Sequence, residues 1–210
     1  MTALRTIFLA AGFAAVVISS VRAAAPSDDL LNELRNRFAG EQTLCADFEQ
    51  QRILKALSRP LLSKGEMVFR KGAGVLWRVP DPFPGRALVT ASEVIKWDGD
   101  GPPRHLALDR SPLFRAITDV VLSLFAGDVE GLARSFTLIP ERDGKTWRLT
   151  LVPKIPVVAN AISRIKVTGA GFVDTLRVEE ARGDVTAISF AAARTGDCRL
   201  DDTERSYFAR

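Results

Sequence analysis

The sequence predicts a mainly β protein with some helix (α+β), an antiparallel barrel or strongly curved sheet of about ten short strands under a helical cover. Three observations carry this reading. Apolar and polar residues alternate in short runs separated by Gly, Asp and Pro turns; one apolar stripe of helical period lies mid-chain; and no later run is long enough to span a membrane.

The first residues read as a secretory leader. Arg5 supplies a basic start, Ile7 to Ile18 an apolar run too short to cross a bilayer comfortably, and Val21 and Ala23 suit the small-residue positions before a cut. Cleavage is expected after Ala23, giving a signal peptide over 1–23 and a single domain over 24–210. The alternative is an anchor that is never removed. Losing Arg5 and Arg22 lowers the formal charge from +4 to +2, with signs interspersed, so nucleic acid is not an expected partner. The exported protein is expected to be soluble, periplasmic and monomeric. Two cysteines, Cys45 and Cys198, in an oxidising compartment are more often bridged than free, so a disulfide is expected; the alternative is two unpaired, partly buried thiols, because sequence alone does not show that their Cα atoms come within bonding range.

Ser27 is a good N-cap, Asp28 and Asp29 favour a first helical turn, and Leu30, Leu31, Leu34 and Phe38 share one face of a helix ending near Gly40. The period then becomes two. Leu44, Ala46 and Phe48 alternate with Cys45, Asp47 and Glu49 in a strand ending before Pro60. Met67 and Phe69, a turn at Lys71 to Gly74, and the returning Val75, Trp77 and Val79 form a hairpin. The prolines of Pro80 to Pro84 lack ladder donors, so this stretch is expected to be a connection outside the sheet. Strands over 87–90 and 94–97 follow, then a weaker one over 105–108.

The central helix has Ser111 as N-cap, Pro112 at the first helical position, and a stripe of Leu113, Phe114, Ile117, Val120, Val121, Leu124 and Phe125 before Gly127. A short helix over 129–133 is expected next. Strands resume over 136–139 and 146–152, the latter with Trp147, Leu149 and Leu151 on one face, and then over 165–167, 173–180 and 185–192.

Catalytic and metal chemistry is hard to assemble from this inventory. The single histidine, His105, reads as an exposed strand residue; no nucleophile elbow or phosphate-cradling loop is present, and Glu179 and Glu180 point to opposite faces of a strand. An enzyme and a cofactor are therefore not expected. An excess of large apolar residues remains for a curved sheet to turn inward. An incompletely closed sheet capped by helices leaves room for a ligand, whereas a packed core does not, and periodicity alone fits both.

The order and wording of the segments resemble the outer-membrane lipoprotein carrier (LolA-like) family. Leu44-Cys45-Ala46-Asp47-Phe48-Glu49-Gln50 resembles its first strand, Lys64 to Lys71 followed by Val75-Leu76-Trp77 its glycine-initiated hairpin, and Ser92 to Gly99 the next strand and turn. Trp147 to Lys154 and Gly183 to Phe190 complete the match over nearly all of the chain after the leader. The resemblance implies an unclosed barrel, a helical lid, no cofactor and a cavity carrying lipoprotein acyl chains or a related lipid from an inner-membrane exporter to an outer-membrane acceptor. A periplasmic lipid sensor or regulatory interaction module of the same fold is the alternative. Implied cavity residues are Met67, Phe69, Val75, Trp77, Leu113, Ile117, Val120, Val121, Leu124, Trp147, Leu149 and Leu151, with the helix over 112–125 as lid. The resemblance also implies that the chain ends meet, which would bridge Cys45 to Cys198. Lys71 stands where the family usually has an arginine that bonds the lid, Gly72 where proline is usual, and Val75 in place of a mouth aromatic. Lysine offers a point charge instead of a planar fork, so its lock on the lid should be looser.

Overall fold

Strand alternation sorts the chain into a single sheet in the computed structural model, which describes residues 26–208 apart from 41, 82–83, 100, 108–111 and 197. The expected leader and its cleavage site lie outside the described residues, as does Ser111. The first half runs α1 (Pro26–Ala39), β1 (Thr43–Ile53), β2 (Leu61–Arg70), β3 (Gly74–Asp81), β4 (Gly85–Val89), β5 (Glu93–Asp98) and β6 (Arg104–Ala107). The helices α2 (Pro112–Ala126) and α3 (Val129–Ser135) follow. The second half runs β7 (Phe136–Asp143), β8 (Thr146–Pro153), α4 (Pro156–Ala159), β9 (Ile162–Gly169), β10 (Thr175–Glu180), β11 (Val185–Thr195) and α5 (Asp202–Phe208).

All eleven strands pair antiparallel in the order β6-β5-β4-β3-β2-β1-β11-β10-β9-β8-β7, leaving β6 and β7 as edges of an unclosed sheet. Each strand therefore offers one face to each side. The inner face packs Leu44, Ala46 and Phe48 of β1, Met67 and Phe69 of β2, and Leu149 and Leu151 of β8 against α1, α2 and α3. Leu30, Leu34 and Phe38 anchor α1 there, and Val120, Leu124 and Phe125 anchor α2. Gly127 ends α2 at φ +68°, where a Cβ would come within 2.8 Å of the Phe38 side chain, so a bare backbone is required where the two helices meet.

The outer face carries a second, smaller cluster: Cys45, Val68, Leu76, Leu88, Ile95 and Trp97 beneath Phe208 of α5. Cys45 is bridged to Cys198 across a Cα separation of 6.0 Å, as the sequence reading expected. The ring of Trp97 lies 4.8 Å from that of Tyr207. Arg78 clamps α5 from beneath, its Nε donating to Glu204 Oε1 at 2.8 Å and its Nη2 to Oε2 at 2.6 Å.

The sheet departs from expectation at Pro80, which lies within β3 instead of beyond it. The register with β2 shifts there, Lys64 facing Asp81 and Glu66 facing Arg78, so Pro80 occupies an irregularity where no ladder donor is needed. Pro140 is tolerated in β7 because that strand is an edge. The helices α4 and α5 were not foreseen.

Candidate inner-face groove

The covering helices leave part of the inner face bare. A groove of about 860 Å³ opens beside β1 to β5, lined by Gln50, Arg52, Leu61, Trp77, Val79 and Ala87 among others. Alternation builds it. Gln50 and Arg52 continue the inner series of Phe48 along β1, and Val79 continues that of Val75 and Trp77 along β3. Gly65 lies between them on β2, where a Cβ would fall 1.8 Å from the Arg78 carbonyl oxygen. Only glycine permits that backbone approach.

Trp77 is the hinge between packed and open volume. Its ring meets Phe48 edge-on with centroids 5.0 Å apart and Phe190 at 6.1 Å, while the rest of the half-buried side chain borders the groove. The polar members lie toward the strand ends. Gln50 Nε2 donates to Ser63 Oγ at 3.4 Å, Arg52 reaches Glu180 only at 4.0 Å, and Lys96 stands 3.8 Å from Asp98. The groove therefore has an apolar floor and a polar rim in which Arg52, Arg86 and Lys96 outnumber the carboxylate of Asp98, suited to a hydrophobic body with a polar or anionic head.

A second cleft of about 920 Å³ lies on the outer face, lined by Glu66, Arg78, Arg86 and Arg194 among others. Its charges satisfy each other. Burial opposes the charge on Arg78, but hydrogen bonding and Coulomb attraction from Glu204, with a further contribution from Glu66, outweigh it and hold its pKa above the ordinary value. Glu66 also pairs with Arg194, and Asp201 lies 3.5 Å from Arg86. With Arg78, Arg86 and Arg194 paired to carboxylates and only the exposed Arg199 outside an ion pair among the described residues, the cleft is a structural joint between sheet and α5, and the inner groove is the better candidate.

The structure gathers the residues expected to line a cavity, but as packing. Met67, Phe69, Val75, Trp147, Leu149 and Leu151 are completely or nearly completely buried in the inner core, together with Val120 and Leu124 of α2. Val121 is half-buried against the same core. Among these only Trp77 borders the groove. The side chains of Leu113 and Ile117 lie outside the described residues. Lys71 requires correction: its Nζ donates to the Ala39 carbonyl at 2.5 Å, so it caps the C-terminus of α1 and not the expected lid α2. Gln50, Arg52, Leu61, Val79 and Ala87 were not among the expected lining residues, although extending the alternation two and four residues past Phe48 gives Gln50 and Arg52, and two past Trp77 gives Val79. His105 is exposed on β6 as expected, its Nδ1 2.7 Å from Glu93 Oε2. No group of three or more metal-ligating side chains occurs among the described residues, and no helix there is long and apolar enough to cross a membrane.

An unclosed antiparallel sheet wrapped on one face by N-terminal and central helices defines an open half-barrel architecture. Residues 22–206 match the family described as outer membrane lipoprotein carrier protein LolA-like, and the chain belongs to that family. Solved structures of similar fold include a LolA superfamily protein from Nitrosomonas europaea, 9% identical with a TM-score of 0.47, covering 84% of this chain and 96% of that one. A DUF1329 family protein from Desulfovibrio piger is 12% identical with a TM-score of 0.50, covering 86% and 94%. The lipoprotein LppX of Mycobacterium tuberculosis is 12% identical with a TM-score of 0.44, covering 83% and 99%. At these identities the likeness concerns the fold, and the chain is a divergent member of its family. No curated protein sequence matches it.

Proposed function

We propose that this protein is a non-enzymatic periplasmic carrier that shelters the acyl chain of a lipoprotein, or of a related lipid, in the inner-face groove while the cargo passes between membranes. The observation that carries the reading is the apolar floor around Trp77 and Val79, which opens sideways from an otherwise filled core and ends in a polar rim where Arg52, Arg86 and Lys96 outnumber Asp98. Family membership supports the same assignment. An inner-membrane exporter would load the groove and an outer-membrane acceptor would empty it. In this reading α2 is the lid. Its half-buried Val121 and Leu122 give up contacts with the inner core in exchange for contacts with the acyl chain, so the closed and loaded states lie close in free energy. The second expectation, a lipid-sensing regulatory module, would use the same groove.

The test is uptake of a fluorescent fatty acid below its micelle concentration, with lipids co-purifying with the protein identified by mass spectrometry. Wild-type protein should bind the probe. Val79→Asp places a carboxylate on the apolar floor and should weaken binding by tenfold or more while leaving the melting transition nearly intact, since Val79 is only half-buried. A wild-type protein that takes up no probe and carries no lipid would overturn the reading.

A further inference from the structure

The end of the β1–β2 hairpin exposes more apolar surface than any folding requirement explains. Ile53, Leu57, Leu61 and Leu62 are 40%, 46%, 52% and 63% exposed within one short stretch of chain. The turn between the strands is ordered, with the Leu57 N–H donating to the Leu54 carbonyl at 2.9 Å and the Lys55 N–H to Asp184 Oδ1 at 2.9 Å. These leucines do not lie on one face. Leu61 pairs with Arg52 in the inner-facing series and Leu62 with Gln51 in the outer-facing one, while Leu57 sits at the turn itself. A flat protein interface covers one side of a hairpin. A lipid interface entered end-on wets both sides and the tip at once.

Charge points the same way. From Gln50 to Ser63 the sequence contains Arg52, Lys55 and Arg59 and no carboxylate. Arg59 is exposed and makes no ion pair among the described residues, and the Lys55 side chain lies along Gly183 with no acidic partner for its Nζ. Arg52 has only the distant Glu180. Leu57 lies in the turn between Lys55 and Arg59, and Leu61 and Leu62 follow beside Arg52 and Gln51, so leucines and cations are interspersed, as suits the interfacial layer of an anionic bilayer where acyl chains meet negatively charged headgroups.

We propose that the β1–β2 hairpin tip is a membrane-docking element that inserts Leu57, Leu61 and Leu62 into an anionic bilayer surface, with Arg59 and Lys55 at the headgroups. Leu61 and Arg52 also line the inner groove, so docking would set the groove mouth against the lipid. The assignment rests on the tip alone and holds whatever the groove carries.

The purified protein would be co-sedimented with vesicles of equal parts phosphatidylglycerol and phosphatidylethanolamine, and with vesicles of phosphatidylcholine. Binding should be confined largely to the anionic vesicles and should weaken as salt is raised. Leu57→Asp and Leu62→Asp should each lower the partition constant by about tenfold or more, and Arg59→Glu by several-fold. All three sites are exposed, and unchanged thermal melting would confirm an intact fold. Any leader-dependent binding would be common to all variants. Absence of binding to anionic vesicles overturns the proposal, as does binding that all three variants leave unchanged, which would assign the tip to a protein partner. Vesicle binding by a protein that takes up no fatty-acid probe would sink the carrier reading and leave this one standing.

Discussion

Removing the Cys45–Cys198 bridge gives a sharp test of how the outer face is held. The bridge joins residues 153 positions apart, so it closes most of the chain into one loop. In the chain-entropy treatment a loop of that length restricts the unfolded ensemble by about 17 cal/mol/K, or about 5 kcal/mol at 25 °C. Both cysteines are buried, Cys45 completely, so Cys45→Ala/Cys198→Ala also removes two sulfur atoms from the cluster around Val68 and Leu76, adding about 1 kcal/mol. Urea unfolding should therefore show a loss of about 6 kcal/mol, with a steeper denaturant dependence because the unlinked chain unfolds to a more expanded state. Reducing the wild type should reproduce most of that loss. Fatty-acid probe uptake should stay unchanged, because the bridge and the groove lie on opposite faces. A destabilisation below about 2 kcal/mol would refute the reasoning, since loop closure then contributes little beyond local packing.

Other outcomes follow from particular contacts. Arg78→Met leaves Glu204, 5% exposed, with only the Asp201 N–H as a hydrogen-bond donor and Arg86 at 3.8 Å, and should cost about 3 kcal/mol in urea unfolding; adding Glu204→Leu should recover part of that loss, and a double variant as unstable as the single would contradict the account. Burial disfavours ionised Glu179, but hydrogen bonds from Arg177 and Lys166 and attraction to Lys166 and Arg164 prevail and lower its pKa. Its contribution to stability is thus complete above the unfolded-state pKa of about 4.3 and is lost as pH falls through the lower folded value. Glu179→Gln should accordingly flatten the acid limb of a stability-versus-pH curve, and an unaltered limb would place the acid sensitivity elsewhere. Val121→Asp, on the half-buried flank of α2, should abolish probe uptake at a stability cost of about 2 kcal/mol or less; global unfolding instead would identify α2 as fixed core.

Much of the fold was legible because strand alternation survives burial on both sides of the sheet. Leu44, Ala46 and Phe48 could be assigned to one face from their spacing, and so could Trp147, Leu149 and Leu151. The same spacing could not reveal what stands opposite a face. Met67 and Leu149 look identical in sequence whether they meet a helix or an acyl chain, and here they meet side chains. The groove instead uses positions with mixed chemistry, Gln50 and Arg52, whose polarity hides them from a search for apolar stripes. Lys71 found α1 because the helix C-terminus lies beside the β2–β3 turn, a neighbourhood no local pattern encodes. The helix α5 had a usable signal: Asp201 and Glu204 cap one another's backbone N–H groups reciprocally, the spacing of a capping box. Pro80 misled because proline excludes regular ladder positions but not bulges.

The strand order has a consequence for how the molecule assembles. β1 to β6 form one unbroken meander and β7 to β11 another, and the two are sewn together along a single line where β1 meets β11, from Leu44 beside Thr195 to Ile53 beside Val185. Every other strand pairs with a neighbour in the chain, but this suture joins segments from opposite ends. β1 must therefore wait with one edge unpaired until nearly the whole chain has been made. Loop closure over that span comes before any contact at the suture repays it, which makes it the natural rate-limiting event of folding. Cys45 pairs across the suture with Arg194, a few residues from Cys198, so the bridge acts as a rivet at the slowest joint. A chain that unfolds with the rivet in place keeps its two meanders in register to within a few residues and should refold far faster than a reduced one.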